Sequence, residues 1–372
     1  MNHLKLAAPC LFGLESVLSG EVKRIGGQNV QVSDGKVTFT GGLEMLAKAN
    51  LWLRTAERVQ IVLDSFRAES FEELFQGVRA IPLEQFIGKS DAFPVKGWSL
   101  NSKLASVPDC QSIIKKAAVR RLEEKYGQSW FEETGPVHQI QFSILKDIVT
   151  VMLDTSGPGL HKRGYRQNSV EAPIKETLAA GIIDLARVYD DSVLIDPFCG
   201  SGTFLIEGVM HAMHIAPGLN RRFAAERWGA VDAEIWRRAR QEAMDLIRRD
   251  ATVRAYGYDI DPAAAELTMA NAKKAGVASH IRARQRDVAE FSCELDKAVV
   301  FSNPPYGERL LEIKEAEGIY QTMGRVFPQK PGLRYYIISP HEEFERFFGR
   351  GADRRRKLYN GMIKCQLFMY FR

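Results

Sequence analysis

From Ser192 onward the chain alternates strand-like and helix-like runs, and this alternation constrains its fold more than any other feature. Strand candidates lie at 192–197, 254–260, 281–286, 297–303 and 333–339. Strands separated by helices predict a parallel sheet with crossover connections. Ligands of such sheets bind at the carboxyl ends of the strands. Four successive candidates end in residues suited to that place: Asp196-Pro-Phe-Cys-Gly-Ser-Gly-Thr203, Tyr258-Asp-Ile-Asp-Pro262, Arg286-Asp-Val288 and Asn303-Pro-Pro-Tyr306. A final pair of strands, 356–359 and 365–371, flanks Asn360-Gly361 and reads as an antiparallel hairpin.

The first 155 residues read differently. Residues 1–65 show a β-α-β-β-α order: a strand at 4–8, a helix at 14–25 ended by Gly26-Gly27, a hairpin around Asp34-Gly35 and a helix at 43–53. That order suggests a ferredoxin-like unit. Residues 66–155 read as a second α/β unit, with a strand at 92–95 and a helix capped by Asp109 that runs to Tyr126. Strands at 139–143 and 148–152 form its hairpin around Lys146-Asp147. The cluster Thr155-Ser-Gly-Pro-Gly159 marks a boundary, leaving 156–372 as the third domain.

A length of 372 residues exceeds one ordinary core. The net charge of +5 is compatible with a nucleic-acid partner but does not require one. The five cysteines include no CxxC pair, so neither a disulfide framework nor a zinc site is expected. A reduced, cytoplasmic setting follows. No apolar run is long enough to span a membrane, and Pro9, Gly13 and Glu15 interrupt any signal peptide. His211 and His214 lie one helical turn apart without a third ligand, so no metal site is expected.

The acid–glycine loop after Asp196 is neither a phosphate-binding P-loop nor the spaced dinucleotide fingerprint. Gly200 and Gly202 permit close backbone approach, and the following helix offers free N–H groups. An acid at the strand end holds an ammonium better than a phosphate. S-adenosylmethionine carries both an ammonium and a carboxylate, and fits this loop; a plain strand-to-helix turn is the alternative. Asp259 is placed to take two ribose hydroxyls, whereas Asp261 reads as a helix N-cap followed by Pro262. Asp287 can accept an adenine amino group, and the Val288 N–H can meet a ring nitrogen. Pro197, Phe198, Thr203 and Ile260 complete the candidate cofactor-binding set. Cys199, in the same loop, has no basic partner and reads as packing.

Asn303-Pro304-Pro305-Tyr306 suits a planar amino group. The Asn303 oxygen can accept one N–H, the rigid prolines can aim a carbonyl at the second, and Tyr306 can stack on a flat base. Glu308 and Arg309 read either as an ion pair shaping the loop or as base contacts. For nucleic acid, the exposed cation candidates are Lys115, Lys116 and Arg120 on one helix, Lys162, Arg163 and Arg166 in the linker, and Arg355 and Lys357 in the tail. The Arg-rich stretch 221–249 is nearly balanced by acids and reads as a solvated face, with Trp228 and Trp236 as helix packing.

With these motifs in place, the chain resembles the class I methyltransferases, and specifically the THUMP-containing RNA guanine-N2 methyltransferases of the RlmL type. The likeness spans nearly the whole chain. It rests on Asp196 to Glu207, Asn303 to Arg309, Leu160-His-Lys-Arg-Gly-Tyr-Arg166, Ile215-Ala-Pro-Gly-Leu-Asn-Arg-Arg-Phe223 and Lys357-Leu-Tyr-Asn-Gly-Met-Ile363. The first motif is widely shared and the last three are much narrower. The resemblance implies a ferredoxin-like unit and a THUMP domain serving RNA capture, followed by a Rossmann-like methyltransferase domain. It implies S-adenosylmethionine on Asp196, Phe198, Gly200, Gly202, Asp259 and Asp287, Asn303 to Tyr306 as the catalytic loop, and 23S ribosomal RNA or a large-subunit assembly intermediate as partner. Some long members carry a second methyltransferase domain; with the chain ending at Arg372, that activity is expected to be absent. Rival readings are an adenine-N6 or protein-glutamine methyltransferase, or a non-catalytic ribosome-assembly factor.

Overall fold

Two seven-stranded sheets organise the chain, and the computed structural model describes residues 3–166, 173–307 and 310–371. The first half runs β1 (Leu4–Pro9), α1 (Glu15–Arg24), β2 (Gln28–Ser33), β3 (Lys36–Gly41), α2 (Leu43–Trp52), β4 (Gln60–Arg67), α3 (Phe71–Ala80), β5 (Val95–Leu100), α4 (Val107–Tyr126), β6 (Ile140–Leu145) and β7 (Ile148–Asp154). Its sheet order is β2-β3-β1-β4-β7-β6-β5. The sheet is continuous across residue 65, because β4 pairs with β1 on one side and with β7 on the other.

β4 is absent from the sequence reading. Its register shifts between Val62 and Asp64, and such a bulge breaks the alternation by which a strand is recognised. The strand expected at 92–95 begins instead at Val95; Ala92 makes only an isolated bridge to Val137. Pro94 has no N–H to give a ladder. The α4 N-cap is Ser106, not Asp109, which lies in the first turn after Pro108. A carboxylate there is favourable to the helix dipole. The Lys146-Asp147 hairpin forms as read, both residues at positive φ (51° and 65°), as its two-residue turn requires.

The second half runs α5 (Glu176–Ala186), β8 (Val193–Asp196), α6 (Thr203–Ala212), α7 (Ala233–Asp245), β9 (Arg254–Asp259), α8 (Pro262–Lys274), β10 (Ile281–Gln285), β11 (Ala298–Ser302), α9 (Leu310–Val326), β12 (Leu333–Ser339), α10 (Phe344–Phe348), β13 (Arg354–Asn360) and β14 (Ile363–Tyr370). The order β10-β9-β8-β11-β12-β14-β13 is parallel up to β12, with β14 and β13 antiparallel at the edge. The chain leaves β8 in one direction to β9 and β10, then returns to its other side for β11. This reversal opens a crevice at the carboxyl ends. Separate apolar clusters pack the two faces of this sheet.

Most charged side chains of the 221–249 stretch are exposed, as read, among them Arg222, Arg237, Arg238, Glu242 and Arg248, but its apolar side lies inward. Phe223, Trp228, Ile235, Trp236 and Ala243 belong to the core of the first sheet. Trp228 stacks on His138 at 4.4 Å and donates through Nε1 to the Val137 carbonyl at 3.0 Å. Arg221 donates to the Pro158 and Gly159 carbonyls, and Arg240 to the Leu219 and Arg221 carbonyls and to Glu226. The two tryptophans are packing, as read, but they pack one half of the chain onto the other.

Buried charges complete the joint. Arg163 is 4 % exposed and donates to the Leu160 carbonyl (2.6 Å), the Arg54 carbonyl (2.5 Å) and Glu207 (3.4 Å). Arg54 donates to the Met210 and Ile215 carbonyls at the end of α6, and its own N–H bonds Glu21. Burial pulls the Arg54 guanidinium down to about 10. Removing one partner of a buried pair strands the other charge, which costs about 3–5 kcal/mol. Arg163→Ala is therefore expected to lose about that much stability in urea unfolding, while Ala at exposed Lys162 stays within about 0.5 kcal/mol of the parent.

Candidate active site

Strand register gathers the predicted residues at one edge of the second sheet. Asp196 pairs with Gly257, so Asp259 lies two residues further along β9, and Gln285 pairs with Asp259, placing Asp287 beyond β10. Ile195 pairs with Val300, which puts Asn303 just past the neighbouring strand end. Asp196, Gly200, Gly202, Asp259, Ile260, Asp287, Val288 and Asn303–Tyr306 thus share one crevice rim.

The loop after β8 is closed by its own acids. Asp196 accepts from the Phe198 N–H (3.0 Å), and Asp259 accepts from the Gly200 N–H (3.0 Å) and the Asp261 N–H (3.1 Å). Each Asp259 oxygen keeps a second acceptor position. Gly202 sits at φ +82°, where a Cβ would approach Thr268 Cγ2 to 2.8 Å, so the turn into α6 admits only glycine. Pro197 and Cys199 are buried, and burial pushes the Cys199 thiol up to about 12, which excludes it as a nucleophile. Thr203 is buried, and its hydroxyl accepts from Arg166 Nη2 at 2.5 Å.

Further along the rim, Asp261 caps α8 through the Ala263 N–H, with Pro262 in the first turn, as read. Asp287 is exposed and uses only Oδ1 among the described residues, on the Ala289 N–H at 2.8 Å. Ile260 is 67 % exposed between the two acids. An apolar surface flanked by acceptors, beside a glycine cradle and a buried acid, fits S-adenosylmethionine: an apolar cover for the adenine, acceptors for hydroxyls and amines, and a buried carboxyl that an incoming ammonium would hold ionised.

The acceptor loop has its own supports. Asn303 Oδ1 is buried and has no hydrogen-bond partner among the described residues. Leaving such a group unpaired costs about 1–3 kcal/mol, so the position calls for an incoming donor. Tyr320, fully buried on α9, donates to the Pro305 carbonyl at 3.1 Å and meets Ser339 Oγ at 3.3 Å. The Pro305 carbonyl is thus tied to the core behind the loop. Asn360 Nδ2 donates to the Tyr306 hydroxyl at 3.1 Å. Tyr320 and Ser339 carry no signal in the sequence; Asn360 is legible as part of a hairpin and a narrow motif, but not as a partner of Tyr306. Glu308 and Arg309 lie outside the described residues.

Three of the cation candidates are engaged within the fold, Arg163 buried and Lys115 and Arg166 half-buried. Lys115 donates to the Phe93 carbonyl and to Glu133 and covers the Phe93 ring at 3.5 Å. Arg163 is buried in the joint, and Arg166 holds the Ile174 carbonyl and Thr203. These groups are consumed by the fold. Arg120 and Arg355 are exposed but ion-paired, to Glu123 and to Glu345. Lys116, Lys162 and Lys357 are exposed and form no ion pair among the described residues.

Residues 163–368 match the model of the RMKL-like methyltransferase domain, residues 5–60 that of the RlmL ferredoxin-like domain, and residues 68–154 that of the THUMP domain. The chain is 42% identical over 373 residues, 100% of this chain and 97% of the other, to YpsC of Bacillus subtilis (strain 168), provisionally named an RNA methyltransferase. The solved structure of SMU.472, provisionally named a methyltransferase and complexed with SAH, aligns with TM-score 0.94 at 41% identity over 100% of this chain and 98% of that one. A protein of Listeria monocytogenes str. 4b F2365, described as a predicted N6-adenine-specific DNA methylase, aligns with TM-score 0.94 at 44% identity over 99% and 96%.

Asp196 yields a pH test. It is 2 % exposed, and burial, with the Asp259 charge adding, pushes its carboxyl from 3.8 up to about 8. A carboxyl raised on folding favours the folded state while protonated, so that contribution is full below 3.8 and is lost as pH rises through about 8. The thermal midpoint of Asp196→Asn is expected to fall less between these limits than that of the parent.

Proposed function

The chain belongs to the RMKL-like methyltransferase family, with RlmL-type ferredoxin-like and THUMP domains ahead of the methyltransferase domain, and on that premise we propose that it methylates the exocyclic N2 of a guanine in 23S ribosomal RNA. The coarser activity is S-adenosylmethionine-dependent methyl transfer to RNA. The observation that carries the reading is the unpartnered Asn303 oxygen at the crevice rim. It accepts one N–H of the target amine, and the Pro304 carbonyl accepts the other.

The lone pair of a base amine is delocalised into the ring and attacks poorly. Two acceptors on its hydrogens favour a more tetrahedral nitrogen and aim the lone pair. S-adenosylmethionine, on Asp196, the 198–202 loop, Asp259, Ile260, Asp287 and Val288, supplies an electrophilic methyl group. Catalysis is then mainly positioning, and no strong base is needed before the nitrogen gains its methyl. Tyr306 stacks on the extruded base, with Asn360 fixing its ring. The N-terminal half and the exposed Lys116, Lys162 and Lys357 hold the RNA backbone.

Adenine N6 presents the same planar amine, and the Listeria relative's description favours it as the second reading. The deciding assay transfers labelled methyl groups to total RNA from cells lacking this protein, followed by nucleoside analysis. Label in N2-methylguanosine is expected; label in N6-methyladenosine would replace the base, and none in RNA would overturn the reading. Asn303→Ala is expected to lower turnover by about 100-fold or more with little change in S-adenosylmethionine affinity. Changing Lys116, Lys162 and Lys357 together to Ala should flatten the salt dependence of RNA binding, by about 0.7 in log–log slope for each phosphate that is no longer neutralised.

A further inference from the structure

The hairpin of β13 and β14 does more than close the sheet. β12 pairs with β14 only as far as Ser339 opposite Gln366. Beyond that pair, residues 363–365 and 358–360 continue with each other alone. The tip therefore projects roughly 10 Å past the carboxyl edge of the sheet, on the side of the acceptor loop. Its two-residue turn is Gly361-Met362, with Gly361 at φ +64°. Met362 is 97 % exposed, so it packs against nothing among the described residues and contributes nothing to folding. Asn360, at the root of the tip, is bonded to the Tyr306 hydroxyl at 3.1 Å.

Charge on the hairpin is one-sided. Residues 354–370 include Arg354, Arg355, Arg356, Lys357 and Lys364, and no acid. Arg355 is paired with Glu345, and Arg356 donates to the Gly13 carbonyl and Ser16. Lys357 and Lys364 are exposed on the strands that lead to the turn. An unbranched apolar side chain thus stands free between cations, tied through one hydrogen bond to the loop that receives the base.

Resting on the function proposed above, we propose that Met362 is a wedge that enters the RNA base stack where the acceptor nucleotide has been drawn out. Extrusion leaves a gap whose flanking bases have lost their stacking partner. Apolar side chains of this kind fill such gaps in nucleic-acid complexes, and methionine adapts its shape to irregular spaces. Lys357 and Lys364 meet the phosphates on either side. The Asn360–Tyr306 bond couples the two halves of extrusion, since the ring that receives the base and the side chain that replaces it ride on one support.

The test compares the full-length protein with Met362→Leu, Met362→Ala and Met362→Ser on folded total RNA from cells lacking the protein. All four should share one thermal midpoint and one S-adenosylmethionine affinity, because Met362 is free in solvent. In kcat/KM for methyl transfer, Leu should stay near the parent, Ala should fall about tenfold and Ser further. Warming the RNA toward its melting range should shrink the Ala defect, since less stacking then needs replacing. Equal activity across the series would overturn the wedge, as would a loss that warming leaves unchanged. A parent protein that puts no label into RNA would instead overturn the functional reading on which the wedge rests.

Discussion

The geometry of this protein depends on a guanidinium held where water cannot reach it. Arg163 joins the linker, the end of α2 and the middle of α6 through the Leu160 carbonyl, the Arg54 carbonyl and Glu207. Arg54 carries the connection onward to the carbonyls that end α6. The start of that same helix is the glycine turn at Gly202, steadied by Arg166 on Thr203. One set of buried cations therefore fixes both the N-terminal half and the loop that frames the crevice. Moving one half against the other would strand these desolvated charges, which is costly.

The order of elements was legible because periodicity is local. Acids at the ends of β8, β9 and β10, and Asn303 after β11, could be lined up without any knowledge of tertiary contacts. Where a local pattern was interrupted, as at the β4 bulge or before Pro94, the reading slipped. Internal pairing of charge was not legible. Lys115, Arg163 and Arg166 look like surface cations, since nothing in their neighbourhood reveals acceptors such as Glu207 or the Phe93 and Ile174 carbonyls. The Arg221–Arg249 stretch divides on the same point: most of its charges are solvated, as balanced charge suggests, while Arg221 and Arg240 answer to carbonyls folded over them.

Around the acceptor loop, the chemistry was visible and its scaffolding was not. Asn303 and Tyr306 announce themselves by type and order. Tyr320 and Ser339, which brace the Pro305 carbonyl, come from α9 and the end of β12 and look like ordinary core residues. The sheet brings them together only when β11 and β12 pair. Asn360 is an intermediate case, since its hairpin could be read but its partner could not.

The core of the first sheet is completed by Phe223, Trp228 and Trp236, which lie far down the chain from β7. During synthesis this imposes an order of events. Helices α1 to α4 cover most of the apolar face as they emerge, yet the part beside α2 and His138 waits until roughly 80 further residues have been added, on the order of ten seconds at ribosomal speeds. A nascent chain in that interval presents a largely formed layer of helices on a sheet with one apolar patch still open.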